Sequence, residues 1–526
     1  MEGQAMEEKT RSQELLWQRG ARKAGSLLQK YRVPAVVSVV VGLLCFTFLM
    51  TNKLPNHDDV FTTFFKGGTW SLGRWGLGAL DLVFPNYSMP WINGLLTIAL
   101  MAVSVCVIIR IFSIENRLLQ GLLAGCIMAF PSLTATLCYM FTAAPYALSF
   151  LLAVASVLLL QGKRKAAHLL ALAGAIASLS IYQSYIAVVA SLLVLTLVQA
   201  LLNGEDTGKV LRRGVYDVLF LVAALGIYYG LTMVLNRLQG ISFNGYASGN
   251  LSFDFVSIPA DIVLAYQSFF QFFTQGFHGL MPTPASRLLN AFVLLGTLGL
   301  ILSRCLGQKK KDAGRFALLA VLLGLLPLTI NCMYLFTVAE AVHTLVLYGF
   351  IALYVLAALV ADDCLRSAGG ALRRFTLHAL TLAMALILAG NIYLANEVSL
   401  NLYLRYENAY SFYSGLMAEL QSDPEFDENT KLAIIGDWAS PEFYEQLFPF
   451  TNDITGTVGF LPSDYSKARF VEFYLGLELP FATDEECAAI AATEEFQSMA
   501  EYPYYGCRRK IGEFMVVKLA QGKGAL

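Results

Sequence analysis

Val33-Pro-Ala-Val-Val-Ser-Val-Val-Val-Gly-Leu-Leu-Cys-Phe-Thr-Phe-Leu-Met50 carries no charge, and a few positions on the chain reads Leu54-Pro-Asn-His-Asp-Asp59. The first stretch is long enough to cross the hydrocarbon core of a bilayer, which takes about 20 apolar residues. About 30 polar and charged residues precede it and no small-residue cleavage site follows, so it reads as a retained helix and not a signal peptide. Asp58 and Asp59 therefore fall at a membrane surface, on the side opposite the basic N-terminus. An acid pair at such a boundary can act as a base toward a substrate presented by lipid.

The rest of the chain agrees with a membrane setting. Of 526 residues, 56% are hydrophobic and only 14% charged, with mean hydropathy +0.58. Ordinary globular chains carry about 25% charged residues. The fold class is thus an all-α polytopic membrane protein. Apolar runs predict spans at 33–51, 90–110, 118–140, 144–161, 166–180, 185–202, 215–235, 288–306, 316–335, 343–361 and 375–394, about eleven helices. The polar break Ser180-Ile-Tyr-Gln-Ser184 leaves the fifth and sixth open to being one kinked pair.

Lysine and arginine set the expected orientation. With the N-terminus cytoplasmic, 23 of them fall in cytoplasmic segments and only five outside up to residue 394: Lys53, Lys66, Arg74, Arg237 and Arg287. The expectation is N-in, C-out, with three outward parts. A loop at 52–89 reads as two interfacial helices, 59–66 and 70–84, joined at Gly67-Gly68, with Trp70, Trp75 and Trp91 at headgroup level. A second loop, 237–287, holds Asn244-Gly-Tyr246 and an aromatic-rich amphipathic helix at 259–275. The third part is the tail. Domains are accordingly expected at 1–32 (cytoplasmic segment), 33–395 (membrane domain) and 396–526 (outward). The tail has ordinary charge: Lys431-Leu-Ala-Ile-Ile-Gly-Asp437 reads as a strand and turn, 440–448 as a helix, and Phe514-Met-Val-Val-Lys-Leu519 as a late strand. A small α/β domain of roughly 100 residues follows.

Seven of nine cysteines lie in or beside apolar spans without metal-ligand spacing and read as small buried hydrophobes. Cys487 and Cys507 fall in the tail and would form a disulfide in an oxidising compartment. Leu-Ala-Ile-Ile-Gly436-Asp437 lacks the glycine pattern of a dinucleotide site, and no phosphate-gripping Gly-Lys-Ser/Thr loop exists. Lys309-Lys-Lys311 is a topology signal. Nucleic-acid binding has no support.

Asp58 or Asp59 is open to an alternative use, capping a helix that begins at Val60. Neighbouring acids also raise one another's proton affinity, which suits a base. The run Leu54-Pro-Asn-His-Asp-Asp59, with the later Ser180-Ile-Tyr-Gln-Ser184, resembles the bacterial Gtr glucosyltransferases that decorate O-antigens, within the GT-C class of integral-membrane glycosyltransferases. The resemblance covers about residues 30–395, and His57 stands where many relatives carry a bulky aromatic. It implies a bacterial cytoplasmic-membrane enzyme with its active site outward. It further implies a sugar, glucose, carried on a polyprenyl phosphate, with a surface glycan or lipid as acceptor. One loop aspartate, Asp58 or Asp59, would deprotonate the acceptor hydroxyl; Asp58 is the preferred of the two, since Asp59 is better placed to be taken up in the first turn of the following helix. The neighbouring acid would position the acceptor or bind a divalent cation, Mg or Mn.

The leaving phosphate needs cations or donors. Arg74 and Arg287 lead, followed by Lys66 and Arg237, with snorkelling to headgroups as their alternative. Tyr182 and Gln183 stand where side chains reach a sugar, or else bond helix to helix. Glu340 and His343 with His57 and His278 could be imagined as a zinc site, but nothing in sequence brings them together. The alternative is a transporter or flippase of lipid-linked or small polar substrates, which would show paired halves, interrupted helices and mid-membrane ionisable groups; no halves repeat and the acids cluster at one face. A sensory protein would leave the acid pair unexplained.

Overall fold

The computed structural model describes residues 29–62, 69–84, 87–241, 256–276, 278–307, 312–366, 370–427, 429–436, 446–451, 453–457 and 466–519. Its helices, in chain order, begin with α1 (Arg32–Thr51), α2 (His57–Thr62), α3 (Trp75–Leu80), α4 (Pro90–Phe112) and α5 (Arg117–Met128). Next come α6 (Pro131–Cys138), α7 (Met140–Leu160), α8 (Lys165–Ile181), α9 (Ile186–Leu202) and α10 (Thr207–Leu238). Then follow α11 (Ile258–Thr274), α12 (Pro284–Leu306), α13 (Ala313–Ile330), α14 (Ile351–Leu365) and α15 (Ala371–Gln421). Among the described residues nine helical stretches are long and apolar enough to cross a membrane, or ten if the bent pair α5–α6 counts as one; α8 is a shorter apolar helix. All eleven predicted stretches fall on helix, at least in part.

Local chemistry explains the boundaries. Asn116 caps α5 by accepting from the amides of Leu118 and Leu119, Asp206 caps α10, and Thr283 closes a capping box with Ser286 on α12. Burial separates central from peripheral helices. The stretches Gln183–Leu202 and Tyr348–Leu365 are 89% buried within the bundle, whereas α10 is 22% and α13 28% buried. A helix that is apolar all round thus ends up either inside the bundle or against lipid.

Three predicted elements take a different form. The span 118–140 is broken: α5 and α6 meet at 40°, because Pro131 forces Phe130 out of helical geometry (ψ 134°). The polar break near residue 182 does separate two helices, with Tyr182 extended and a 3-10 turn at Gln183–Tyr185 before α9. The span 343–361 begins as 3-10 turns, Thr344–Val346 and Tyr348–Phe350, and becomes α-helical only at Ile351. There the backbone presses on the end of α13: a Cβ at Gly349 would meet the Ile330 carbonyl oxygen at 2.4 Å.

The last helix is the largest departure. The segment 375–394 is part of a single 51-residue helix, α15, which passes the expected 395/396 boundary without interruption. At 1.5 Å per residue it is about 75 Å long, enough to cross a membrane and continue into the tail. Beyond it come β1 (Lys431–Ile435), α16 (Lys467–Leu475), α17 (Asp484–Ala491), α18 (Glu494–Gln497), β2 (Arg508–Ile511) and β3 (Phe514–Lys518). β3 is central, parallel to β1 (Lys431 opposite Phe514) and antiparallel to β2. Alternation decides the two faces. Leu432, Ile434, Met515 and Val517 pack on the end of α15 and on α16, while Ala433 and Val516 pack on Ile490, Phe496 and Met499. Most of the predicted 440–448 helix lies outside the described residues. No disulfide joins Cys487, on α17, to Cys507, which is buried ahead of β2.

Candidate active site

The acid pair lies in the first turn of α2, and neither acid caps it. Asn56 does: its Oδ1 accepts from the Asp59 amide at 2.9 Å, while its Nδ2 donates to the Cys138 carbonyl at 2.9 Å and ties the turn to the end of α6. The helix starts at His57, ahead of the expected 59, because that amide side chain supplies the cap.

The two acids differ in environment. Asp58 has 41% of its side chain exposed, with His57 Nε2 at 3.7 Å. Asp59 is 2% exposed; Ser88 Oγ donates to its Oδ1, and Lys53 Nζ stands 3.9 Å from Oδ2. Burial pushes the Asp59 carboxyl up from 3.8 to about 6, against the opposing pull of Lys53 and of the Ser88 hydrogen bond, with a small further rise from Asp58. The same burial lowers the Lys53 ammonium.

What buries Asp59 comes partly from the far end of the chain. Val60, fully buried, belongs to the tail's core with Phe412, Leu416, Phe470 and Val471. Burial raises the phenol of Tyr474 on α16, and the nearby Asp59 charge adds to the rise. A second tail contact is deeper. Ile454 is fully buried in the core of the membrane bundle. Its neighbour Gly456 has φ 95°, and a Cβ there would lie 2.6 Å from Cys138 Cβ. Only glycine fits this close, left-handed turn. The tail segment 453–457 is thereby wedged between the end of α6 and the 278–279 and 343–344 turns, where Thr344 Oγ1 donates to the Asp453 carbonyl at 3.0 Å and Thr455 Oγ1 pairs with His343 Nδ1 at 3.1 Å.

Beside this wedge stands Arg74, at the start of α3. It points into the protein: Nη1 donates to Tyr146 OH at 3.0 Å and the guanidinium lies 5.3 Å from the Tyr182 ring, itself stacked on Tyr146 at 4.1 Å. Gln183 Nε2 donates to the Leu72 carbonyl and to Tyr228 OH, both at 2.9 Å, and Tyr228 donates to the Gly73 carbonyl. Arg74, Tyr182 and Gln183, from 108 positions apart in the chain, form one polar cluster. His343 adjoins it: burial, then the charges of Arg74 and His278, hold its imidazole down to about 4, so it is neutral at pH 7.

The other candidates fall elsewhere. Arg287 spends its guanidinium on backbone carbonyls, Thr274 at 3.0 Å, Thr283 at 3.3 Å and Pro282 at 3.5 Å, and braces the α11–α12 turn. Arg237 is exposed at the end of α10. Lys66, the 244–246 turn, Lys309-Lys-Lys311 and the Glu340 side chain lie outside the described residues. His278 and His343 are neighbours, but among the described residues no three His, Cys, Asp or Glu side chains gather to hold a metal ion. Ser88, Tyr146, Tyr228 and the 453–457 wedge escaped sequence reasoning; only Ser88 had a local signal, a polar residue in the outward loop.

The described residues form a bundle of apolar, membrane-type helices with a buried acid at the start of α2 and an arginine set on aromatic rings. The chain belongs to the GtrII glucosyl transferase family, whose model matches residues 47–356. The match begins within α1, takes in the acid pair, Arg74 and Tyr182-Gln183, and ends in α14. No curated protein and no solved structure matches the chain. It is a membrane glycosyltransferase.

Proposed function

We propose that this glycosyltransferase moves glucose from a polyprenyl phosphate to a hydroxyl of an extracytoplasmic glycan or lipid, in a GT-C-like bundle with the N-terminus in and the tail out. Asp59 is the base. The observation that carries this reading is its burial, which brings the carboxyl to about 6, near the working pH at which a general base is most effective. Asp58, the exposed neighbour, orients the acceptor. The hydroxyl oxygen attacks the anomeric carbon, its proton passes to Asp59, and the sugar–phosphate bond breaks with the electron pair leaving on the phosphate oxygen. Arg74 takes the developing phosphate charge, since a guanidinium already desolvated on aromatic rings loses little in reorganising. Tyr182 and Gln183 line the sugar's side.

The test uses the full chain in membranes with glucosyl phosphoryl-polyprenol as donor and an extracted surface glycan as acceptor. Asp59→Asn and Arg74→Ala should abolish or cripple transfer, and Asp58→Asn should weaken it by raising the acceptor KM. Full transfer by Asp59→Asn would sink the assignment of the base.

A further inference from the structure

At the end of the bundle remote from the acid pair, the ends of α7 and α9 and the starts of α8 and α10 line an open cavity of about 600 Å³. Chain direction places it there: α9 starts beside Gln183 and ends at Leu202, and α10 starts at Thr207 and reaches Gly73 only at Tyr228. Its volume lies within the range of sites for small ligands. Lys209, Arg212 and Arg213 all line it, so charges that count in the sequence only toward orientation converge on one space.

Two further features give that space chemical character. Asp217, one turn beyond Arg213, lines the cavity while 5% exposed, and its Oδ2 accepts no hydrogen bond. A buried carboxylate oxygen left so is costly, and a ligand donor would relieve it. His168 is fixed at both ring nitrogens: Nε2 faces the Gly162 carbonyl at 2.6 Å and Nδ1 faces Tyr216 OH at 2.8 Å. A carbonyl only accepts, so Nε2 carries a proton and donates to Gly162, while Nδ1 and the Tyr216 hydroxyl pair with each other. The Tyr216 oxygen is then held in place at the cavity wall with a lone pair to spare.

We propose that this cavity binds a phosphate ester bearing free hydroxyls, a glycerophosphate group, with the phosphate on Lys209, Arg212 and Arg213 and a hydroxyl donating to Asp217. Arg213 already donates to Thr196 and neighbours Asp217, and Glu205 is also on the wall, so the lining carries three cations against two acids; a bare anion would leave the Asp217 oxygen unmet, and a neutral polyol would leave the excess positive charge unanswered. The group can arrive as the headgroup of an anionic lipid or as a soluble ester. The full-length protein in neutral detergent should retain phosphatidylglycerol over phosphatidylmethanol, which has the same phosphodiester but no hydroxyl, by native mass spectrometry. Alternatively, glycerol 3-phosphate should raise its unfolding temperature; the first result names the lipid source, the second the soluble one. Lys209→Gln/Arg212→Gln, both at exposed positions, should weaken whichever binding is seen by roughly 25-fold, at about fivefold per cation. Asp217→Asn should erase the preference for the hydroxylated ligand, and Arg213→Gln serves as a second cation variant. Equal retention of the two lipids without a glycerol 3-phosphate effect, or binding indifferent to the double variant, overturns the proposal.

Discussion

Replacing Asp59 by Asn should make the protein more stable and inactive at once. Its carboxyl titrates at about 6 in the fold against an ordinary 3.8. Below both values the group is protonated folded or unfolded, and it contributes nothing. As pH rises through 3.8 the unfolded chain releases the proton while the fold keeps it, so stability falls up to about 6 and then levels. A gap of about two pH units at 1.36 kcal/mol each amounts to ~3 kcal/mol of destabilisation at pH 7.5. Asn has the same shape, keeps an oxygen for the Ser88 hydroxyl, and carries no charge to desolvate. The unfolding midpoint of Asp59→Asn should therefore exceed that of the parent at pH 7.5, and the advantage should shrink to less than about 1 kcal/mol near pH 4. Denaturant titration in detergent at both pH values, beside a transfer assay, reads both effects; loss of a general base costs about 10²–10⁴ in rate. An Asn variant that is no more stable at pH 7.5 would show that burial does not govern this acid, and the reasoning from its titration would fall.

Other expectations share the same geometry. Ser88→Ala removes a hydrogen bond that favours the charged form of Asp59, so the acid limb of the pH–rate profile should move above 6 by about one pH unit, from ~1.5 kcal/mol per bond to a charged group; Lys53→Met should move it the same way. Arg74→Lys keeps the charge but loses the planar stack on Tyr182, and should lower transfer about tenfold, read as kcat/KM for the donor. Gly456→Val puts a side chain against Cys138 at positive φ, and should expel the 453–457 wedge, seen as faster proteolysis of the tail with α15 still folded.

Much of the fold was legible because its determinants are local. Uninterrupted apolar runs, Asn116, Asp206 and Thr283 as caps, and alternation in 431–435 and 514–518 all act within a few residues of where they stand. Where reading failed, the reason was a neighbour out of sequence reach. Nothing near residue 395 announces that α15 runs on, since a helix persists wherever both its faces find partners, and the tail supplies them after the bundle ends. Arg287 and Arg74 looked equivalent in sequence, each an outward cation at a helix boundary; contacts alone separate a brace on three carbonyls from an arginine stacked in an aromatic cluster.

The sequence by itself determined a membrane bundle, an acid pair at its boundary, and a tail of different composition, because hydropathy and charge are summed along the chain. Only the tertiary structure decided which acid is the unusual one. Asp58 and Asp59 are chemically identical and adjacent, and the one local rule, that Asp59 is nearer the following helix, favours Asp58 as base, whereas burial in the structure singles out Asp59. The difference is desolvation, produced by Ser88 in the same loop, by the end of α6 and by a tail core more than 350 positions later, which closes over Val60 and carries Asp59 out of water.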